Sequence, residues 1–153
     1  MFSRQFSVDV NAPVEQVFAY VTDLKRHPEW SNNKMEMRVE GGPVGVGTTF
    51  ETVVAAFGKE TTKGKVVEMQ APALFAYECD TSSSGYWRWT MTLEPIPGGT
   101  RLHHKSEGLR VPGWFKVVQP LMFPFVGKKM TTNGLQNIKA RVEAGGGNEA
   151  GTG

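Results

Sequence analysis

The segment from Tyr86 to Gly108, YWRWTMTLEPIPGGTRLHHKSEG, constrains this chain more than any other. Trp87, Trp89, Met91 and Leu93 alternate with Arg88, Thr90, Thr92 and Glu94. Successive side chains on an extended strand point to opposite faces, so this spacing describes a strand with one buried face. Pro95, Pro97, Gly98 and Gly99 then force a turn, after which Thr100, Leu102 and His104 begin a second alternation. The segment is a long β-hairpin. Its apolar face is bulky and carries one histidine, His104. Such a face is either solid core or the wall of a cavity, and the function turns on which.

The rest of the chain supplies neighbours for that hairpin. Phe2, Arg4, Phe6, Val8 and Val10 alternate with Ser3, Gln5, Ser7 and Asp9, a first strand with one wet face. Asn11 is a good N-cap, Pro13 suits a first helical turn, and Val14, Val17, Phe18 and Val21 fall on one face of a short amphipathic helix. Asp23 is expected to begin a second short helix that Pro28 disturbs, with Trp30 just beyond it. Met35, Met37 and Val39 alternate in a second strand, and the glycines from 41 to 47 make a flexible connection. Thr48 to Phe57 is β-rich, with a turn at Gly58 and Lys59. Lys63 to Met69 is a further strand whose two faces are both mixed, so its register is not fixed; Pro72 ends it. Phe75, Tyr77 and Cys79 alternate in the next strand, and Ser82 to Gly85 is a loop.

After Pro112 the period becomes helical. Trp114, Val117, Val118, Leu121 and Phe125 fit one face, and Leu135, Ile138 and Val142 fit another. Pro120 and Pro124 each remove a helical hydrogen bond, which predicts a kink or break between residues 119 and 127 and a terminal helix ending near Val142. Gly134 inside that helix costs about 1 kcal/mol relative to alanine unless a close contact uses the missing side chain. From Gly145 onward, GGGNEAGTG is expected to be a disordered tail. Consecutive strands joined by short turns make an antiparallel sheet. With helices towards both ends, the expected class is α+β, a single domain over residues 1–144.

Composition removes several functions. A chain of 153 residues suits one domain with one core. Seventeen basic and 15 acidic residues give a net charge of +2, too balanced to point to nucleic acid. Cys79 is the only cysteine, so neither an intramolecular disulfide nor a Cys-based zinc site is available. Three histidines without close acidic pairing make no metal constellation, GxSxG is absent, and the GVG near residue 45 lacks the strand–GxGxxG–helix context of a dinucleotide site. No metal or other cofactor is expected. The opening MFSRQFSVDV lacks the apolar core of a signal peptide, and no apolar run reaches the roughly 18 residues of a membrane span. The expected location is the cytoplasm, without stable membrane insertion.

Five segments spread over residues 2 to 143 carry a family resemblance: VDVNAPVEQVFAYVTD, LKRHPEW, VGVGTTF, VVEMQAPALFAYE and WTMTLEPIPGGTRL. In this order and spacing the chain resembles the START-like, or SRPBCC, superfamily, and most closely its polyketide cyclase/dehydrase and lipid-transport branch. The resemblance implies a helix-grip fold like that of the Bet v allergens. In that fold a curved antiparallel sheet of about seven strands wraps a long C-terminal helix, two short helices follow the first strand, and a deep apolar cavity lies between sheet and helix. Members bind lipids, sterols, polyketides, quinones and other hydrophobic compounds, and some cyclise, dehydrate or aromatise polyketides.

On that frame the concave face carries Phe50, Phe75, Tyr77, Trp87, Trp89, Met91 and His104, and the lid and helix add Trp30, Met35, Leu121, Met122 and Met130. Taken singly, each apolar one of these is better explained as core. The cavity expectation rests on the set, since ligand pockets are mostly apolar with a few placed polar groups. His104 is either a proton donor or hydrogen-bond anchor for a ligand carbonyl, or a partly buried strand histidine bonded to a neighbouring side chain. His103 should face solvent, and His27 should lie exposed in the lid. Trp114, Phe115, Phe123 and Phe125 lie among Lys116, Lys128 and Lys129. That pattern fits a helix packed on the sheet with its lysines in solvent; the alternative is transient contact with an anionic membrane surface. The expected function is a carrier or sensor of a hydrophobic small molecule such as a lipid, polyketide or quinone, acting as a monomer or homodimer, with Tyr77 and His104 orienting the ligand. The alternative is a polyketide cyclase/dehydratase using His104, Tyr77 and Glu51 or Arg88. Alternation places Glu51 and Arg88 on the outer face, which counts against them.

Overall fold

The hairpin lies inside a seven-stranded antiparallel sheet. A computed structural model describes residues 2–31, 35–55 and 59–145. Its strands are β1 (Phe2–Val10), β2 (Met35–Val39), β3 (Thr49–Val54), β4 (Glu60–Gln70), β5 (Leu74–Thr81), β6 (Gly85–Ile96) and β7 (Gly99–Arg110). They run in the order β1-β7-β6-β5-β4-β3-β2. The turn expected at Gly58, and the tail beyond Gly145, lie outside the described residues.

β6 and β7 pair from Tyr86↔Arg110 to Ile96↔Gly99. Gly98 closes the turn at a φ of +83°, a conformation that suits glycine. Pro95 is tolerated in β6 because β5 ends opposite Thr92, so its missing N–H faces no further strand residue. In β4 the register steps from Val66↔Tyr77 to Glu68↔Ala76, leaving Val67 as an extra residue. That bulge explains the mixed faces of this strand. Thr62, Gly64 and Val66 face inward before it, and Met69 packs inward after it.

The segment between the edge strands β1 and β2 holds α1 (Val14–Thr22), a 3-10 turn (Leu24–Arg26) and α2 (His27–Trp30). Two local expectations are corrected here. Pro13, not Asn11, takes the position before α1, and its carbonyl accepts from Gln16 N–H (3.0 Å) and Val17 N–H (3.1 Å). Pro28 does not disturb a helix. It occupies the first turn of α2, where its missing N–H has no intrahelical acceptor to lose, and Trp30 closes that helix.

The C-terminal helix runs from Gly113 to Glu143 without a break. α3 (Gly113–Met122) passes through a π-helical turn (Phe123–Gly127) into α4 (Lys128–Glu143). The kink or break expected between residues 119 and 127 takes the form of a widened turn, of the kind that absorbs a proline without ending the helix. Gly127 belongs to it, because a Cβ there would run into the Phe123 ring. α4 lies over the concave face of the sheet and buries Leu135, Ile138 and Val142. They meet Val10, Val17, Leu24, Phe75, Met91 and Leu102 in one continuous core. Fully burying each such side chain contributes about 1.5–3 kcal/mol.

Candidate ligand-binding cavity

The core does not fill the whole space under the helix. A cavity of about 370 Å³ opens between α2, the first half of α4 and the inner faces of β2 to β7. That lies within the roughly 300–1,000 Å³ range of small-molecule sites. Its aromatic wall is built by cross-strand registry. Phe50 and Tyr77 meet edge to face at 5.7 Å, and Tyr77 stacks on its β6 partner Trp89 at 5.7 Å. Tyr77 and Trp89 are neighbours on adjacent strands, whereas Phe50 reaches Tyr77 across the intervening β4, where its own partner is the bare Gly64.

α2 forms the opposite wall and is held at both ends. Glu29 accepts from Tyr20 Oη at 3.2 Å and pairs with Arg26 at 2.8 Å. Burial, with Glu29 next in effect, pushes the Tyr20 phenol up to about 12, so it stays a donor at neutral pH. At the other end the Trp30 carbonyl accepts from Asn137 Nδ2 at 3.1 Å, and the Trp30 indole lies 3.6 Å from where a Cβ on Gly134 would stand. Trp30 therefore packs over Gly134 at a distance that would also admit a Cβ. His27 packs on Trp30 with ring centres 4.0 Å apart and planes tilted by 39°, and it lines the cavity. It is half-buried rather than exposed.

The interior is close to uncharged. Burial pushes His104 down to about 4, and burial together with the neighbouring His104 pushes His27 down to about 3. Both imidazoles are neutral at pH 7. Burial raises Tyr77 and Cys79, the latter to about 12. Among the described lining residues only Glu60, at the rim, is charged. Burial raises its pKa, but hydrogen bonds from Ser82 and Ser83 outweigh this and hold it below its ordinary value. Two of the lining residues, Trp30 and His104, each carry a buried polar atom, Nε1 and Nδ1 respectively, with no hydrogen-bond partner. An unsatisfied buried donor or acceptor costs about 1–3 kcal/mol, so such atoms call for an explanation.

Of the candidate residues, the structure brings Trp30, Met35, Phe50, Tyr77, Trp89, His104 and Met130 together around this cavity. It does not bring the others there. Phe75 and Met91 are inward but packed in the closed core under α1 and α4. Trp87 is half-buried further along β6, stacked on Trp89 at 6.2 Å and meeting Phe115 edge to face at 5.8 Å. Leu121 and Met122 lie on the exposed side of α3. Sequence reasoning missed His27, and the polar positions Thr52, Thr62 and Thr81 that also line the wall. Strict alternation from Phe50 and from Tyr77 gives Thr52 and Thr81. Thr62 depended on the register of β4. His103 lies on the outer face, half-buried, 3.4 Å from Glu94. Arg88 is also outside, paired with Glu68 at 3.3 Å and Glu78 at 3.9 Å, and Glu51 shares that outer face between Arg38 and Lys63.

A seven-stranded antiparallel sheet with a long C-terminal helix packed across one face is a helix-grip-like arrangement. Residues 1–143 match the family described as polyketide cyclase/dehydrase and lipid transport, and the chain belongs to that family. Solved structures share the fold. Protein CV1439 from Chromobacterium violaceum is 20% identical over 92% of this chain and 96% of its own, with a TM-score of 0.71. A protein from Arthrobacter aurescens is 16% identical over 93% of this chain and 86% of its own, with a TM-score of 0.73. The di-domain ARO/CYC StfQ from the steffimycin biosynthetic pathway is 14% identical over 95% of this chain and 51% of its own, with a TM-score of 0.76. No curated protein matches the chain.

Proposed function

We infer that this protein is a carrier or sensor for a neutral, oxygen-bearing hydrophobic small molecule held between the sheet and α4. The observation that carries this reading is the cavity itself, about 370 Å³ with Phe50, Tyr77 and Trp89 on its sheet side and Glu60 the only charged residue among the described lining residues, where Trp30 and His104 each hold a polar atom that has no partner in the folded chain. An indole N–H can only donate, so it asks for a carbonyl or ether oxygen. A neutral imidazole takes a hydroxyl or a second carbonyl according to its tautomer. A fatty-acid carboxylate fits poorly, because no lysine or arginine lies among the described lining residues. Apolar burial would drive binding at roughly 25 cal/mol per Å² before ordering costs. The family's association with polyketides and lipids, and the polyketide ARO/CYC neighbour, agree with such a ligand.

The enzymatic alternative is weaker. A general acid or base works best with a pKa near the working pH, and His27 and His104 are pushed well below it. Native mass spectrometry of freshly purified protein, followed by extraction of any co-purifying lipophile, tests the binding reading. The expected result is a one-to-one adduct of an uncharged, oxygenated compound, weakened by His104→Gln. Selective binding of carboxylates over their neutral esters would sink it.

A further inference from the structure

The outer side of α3 is exposed. Leu121 is 72% exposed, Val117 71%, and Phe125, in the π-helical turn, 78%. Trp114 continues the same stripe one turn earlier and is also exposed. The helix is anchored instead by other residues. Phe115 meets Phe2 at 6.4 Å and Trp87 at 5.8 Å, and Phe123 stacks on Phe6 at 6.3 Å. Of the aromatics expected to pack on the sheet, Phe115 and Phe123 do so, whereas Trp114 and Phe125 do not. Isolated exposed apolar residues are ordinary, but a contiguous row of large ones marks a contact surface.

The charge around this row points to one kind of partner. From Gly108 to Val142 the chain has six basic residues (Arg110, Lys116, Lys128, Lys129, Lys139 and Arg141) and no acidic one. Lys139 is taken up by Glu143 at 2.8 Å. Among the described residues, Lys116, Lys128 and Lys129 have no ion-pair partner. A second copy docked by this face would set these lysines against their own counterparts with no acidic residue in the segment to offset them. An anionic bilayer offers what both parts of the surface lack, an apolar phase for the row and phosphate charge for the lysines.

We propose that the outer face of α3 and the π-helical turn is a peripheral docking site for anionic membranes. The stripe Trp114–Val117–Leu121–Phe125 enters the headgroup boundary while Lys128 and Lys129, one turn beyond Phe125, meet lipid phosphates. Met130 and Thr131, immediately beyond on the same helix, line the cavity. Docking therefore places the cavity rim beside the bilayer, where a lipophile would be loaded or delivered.

The test is co-sedimentation of the full chain with phosphatidylcholine vesicles with and without about 30% phosphatidylglycerol. Since the assay contains no cavity ligand, its outcome is independent of what the cavity binds. Binding should require the anionic lipid and fall steeply with salt. Leu121→Ser with Phe125→Ser should reduce it at least tenfold while leaving the thermal unfolding midpoint unchanged, because both side chains are already in solvent. Each lysine changed to glutamine should cost roughly fivefold. The proposal is overturned if the chain ignores anionic vesicles at low salt, or if it binds neutral ones equally. It is also overturned if the stripe instead drives a dimer, or binds an acidic protein, that Leu121→Ser dissolves.

Discussion

The ring of Phe50 lies across the bare backbone of Gly64, its partner in the β3–β4 ladder. A Cβ at Gly64 would run into the end of that ring and come within 2.8 Å of Cys79 Sγ. The glycine thus lets a large aromatic lie flat against the cavity wall. Gly64→Ala should destabilise the fold by about 1–3 kcal/mol, the usual cost of overpacking a closed site. Phe50→Leu should recover part of that loss in the double variant, and chemical denaturation of the four proteins in the cycle measures the coupling. Additive effects would mean that Gly64 matters only for its backbone.

Gly134 faces Trp30 in a different way. A Cβ there would stand 3.6 Å from the indole, an ordinary contact. Gly134→Ala should therefore gain most of the alanine advantage in a helix interior, up to about 1 kcal/mol, and raise the melting temperature. Gly134→Leu should lower it, because a longer side chain must push Trp30 from its seat. A fall with alanine would mean that Trp30 leaves no room for a methyl group here.

These glycines mark how far the sequence could be read. The hairpin was legible because alternation over Trp87–Leu93 and Thr100–His104 has no competing period, and the long C-terminal helix was legible from its apolar spacing. Three features were not. The bulge at Val67 moves the inward set from even to odd positions within one strand, which alternation cannot show. Pro28 looked like a breaker, but the preceding 3-10 turn puts it in the first turn of α2, and the same placement turns His27 inward. The apolar row of α3 has a clear helical period, yet a period identifies a face without saying whether anything covers it.

His27 and His104 should leave a signature in the pH dependence of stability. Their pKa values fall from 6.5 to about 3 and about 4 on folding. Between those values and 6.5 the unfolded chain holds more protons than the folded one, so stability is fully present above pH 6.5 and is lost as the pH falls through this window. Near pH 5 unfolding should take up close to two protons from this pair, and His104→Gln should leave about one. Urea unfolding at several pH values between about 4 and 7 gives the slope. An unchanged slope in His104→Gln would mean that this imidazole is hydrated in the folded protein.

Trp30→Phe separates a cavity donor from a core aromatic. The substitution removes Nε1–H, which has no acceptor in the folded chain, but also trims a ring packed against Gly134 and His27. Losing an orphaned donor recovers about 1–3 kcal/mol, and the smaller ring gives back a similar amount in lost packing. The ligand-free protein should therefore change in stability by less than about 1 kcal/mol. If the indole N–H bonds a ligand oxygen, affinity for a carbonyl-bearing lipophile should fall about tenfold in the same variant, while a hydrocarbon of equal size binds as before. Isothermal titration with such a matched pair reads both numbers. Equal losses for the two ligands would make Trp30 an apolar wall only, and would leave His104 as the sole polar anchor.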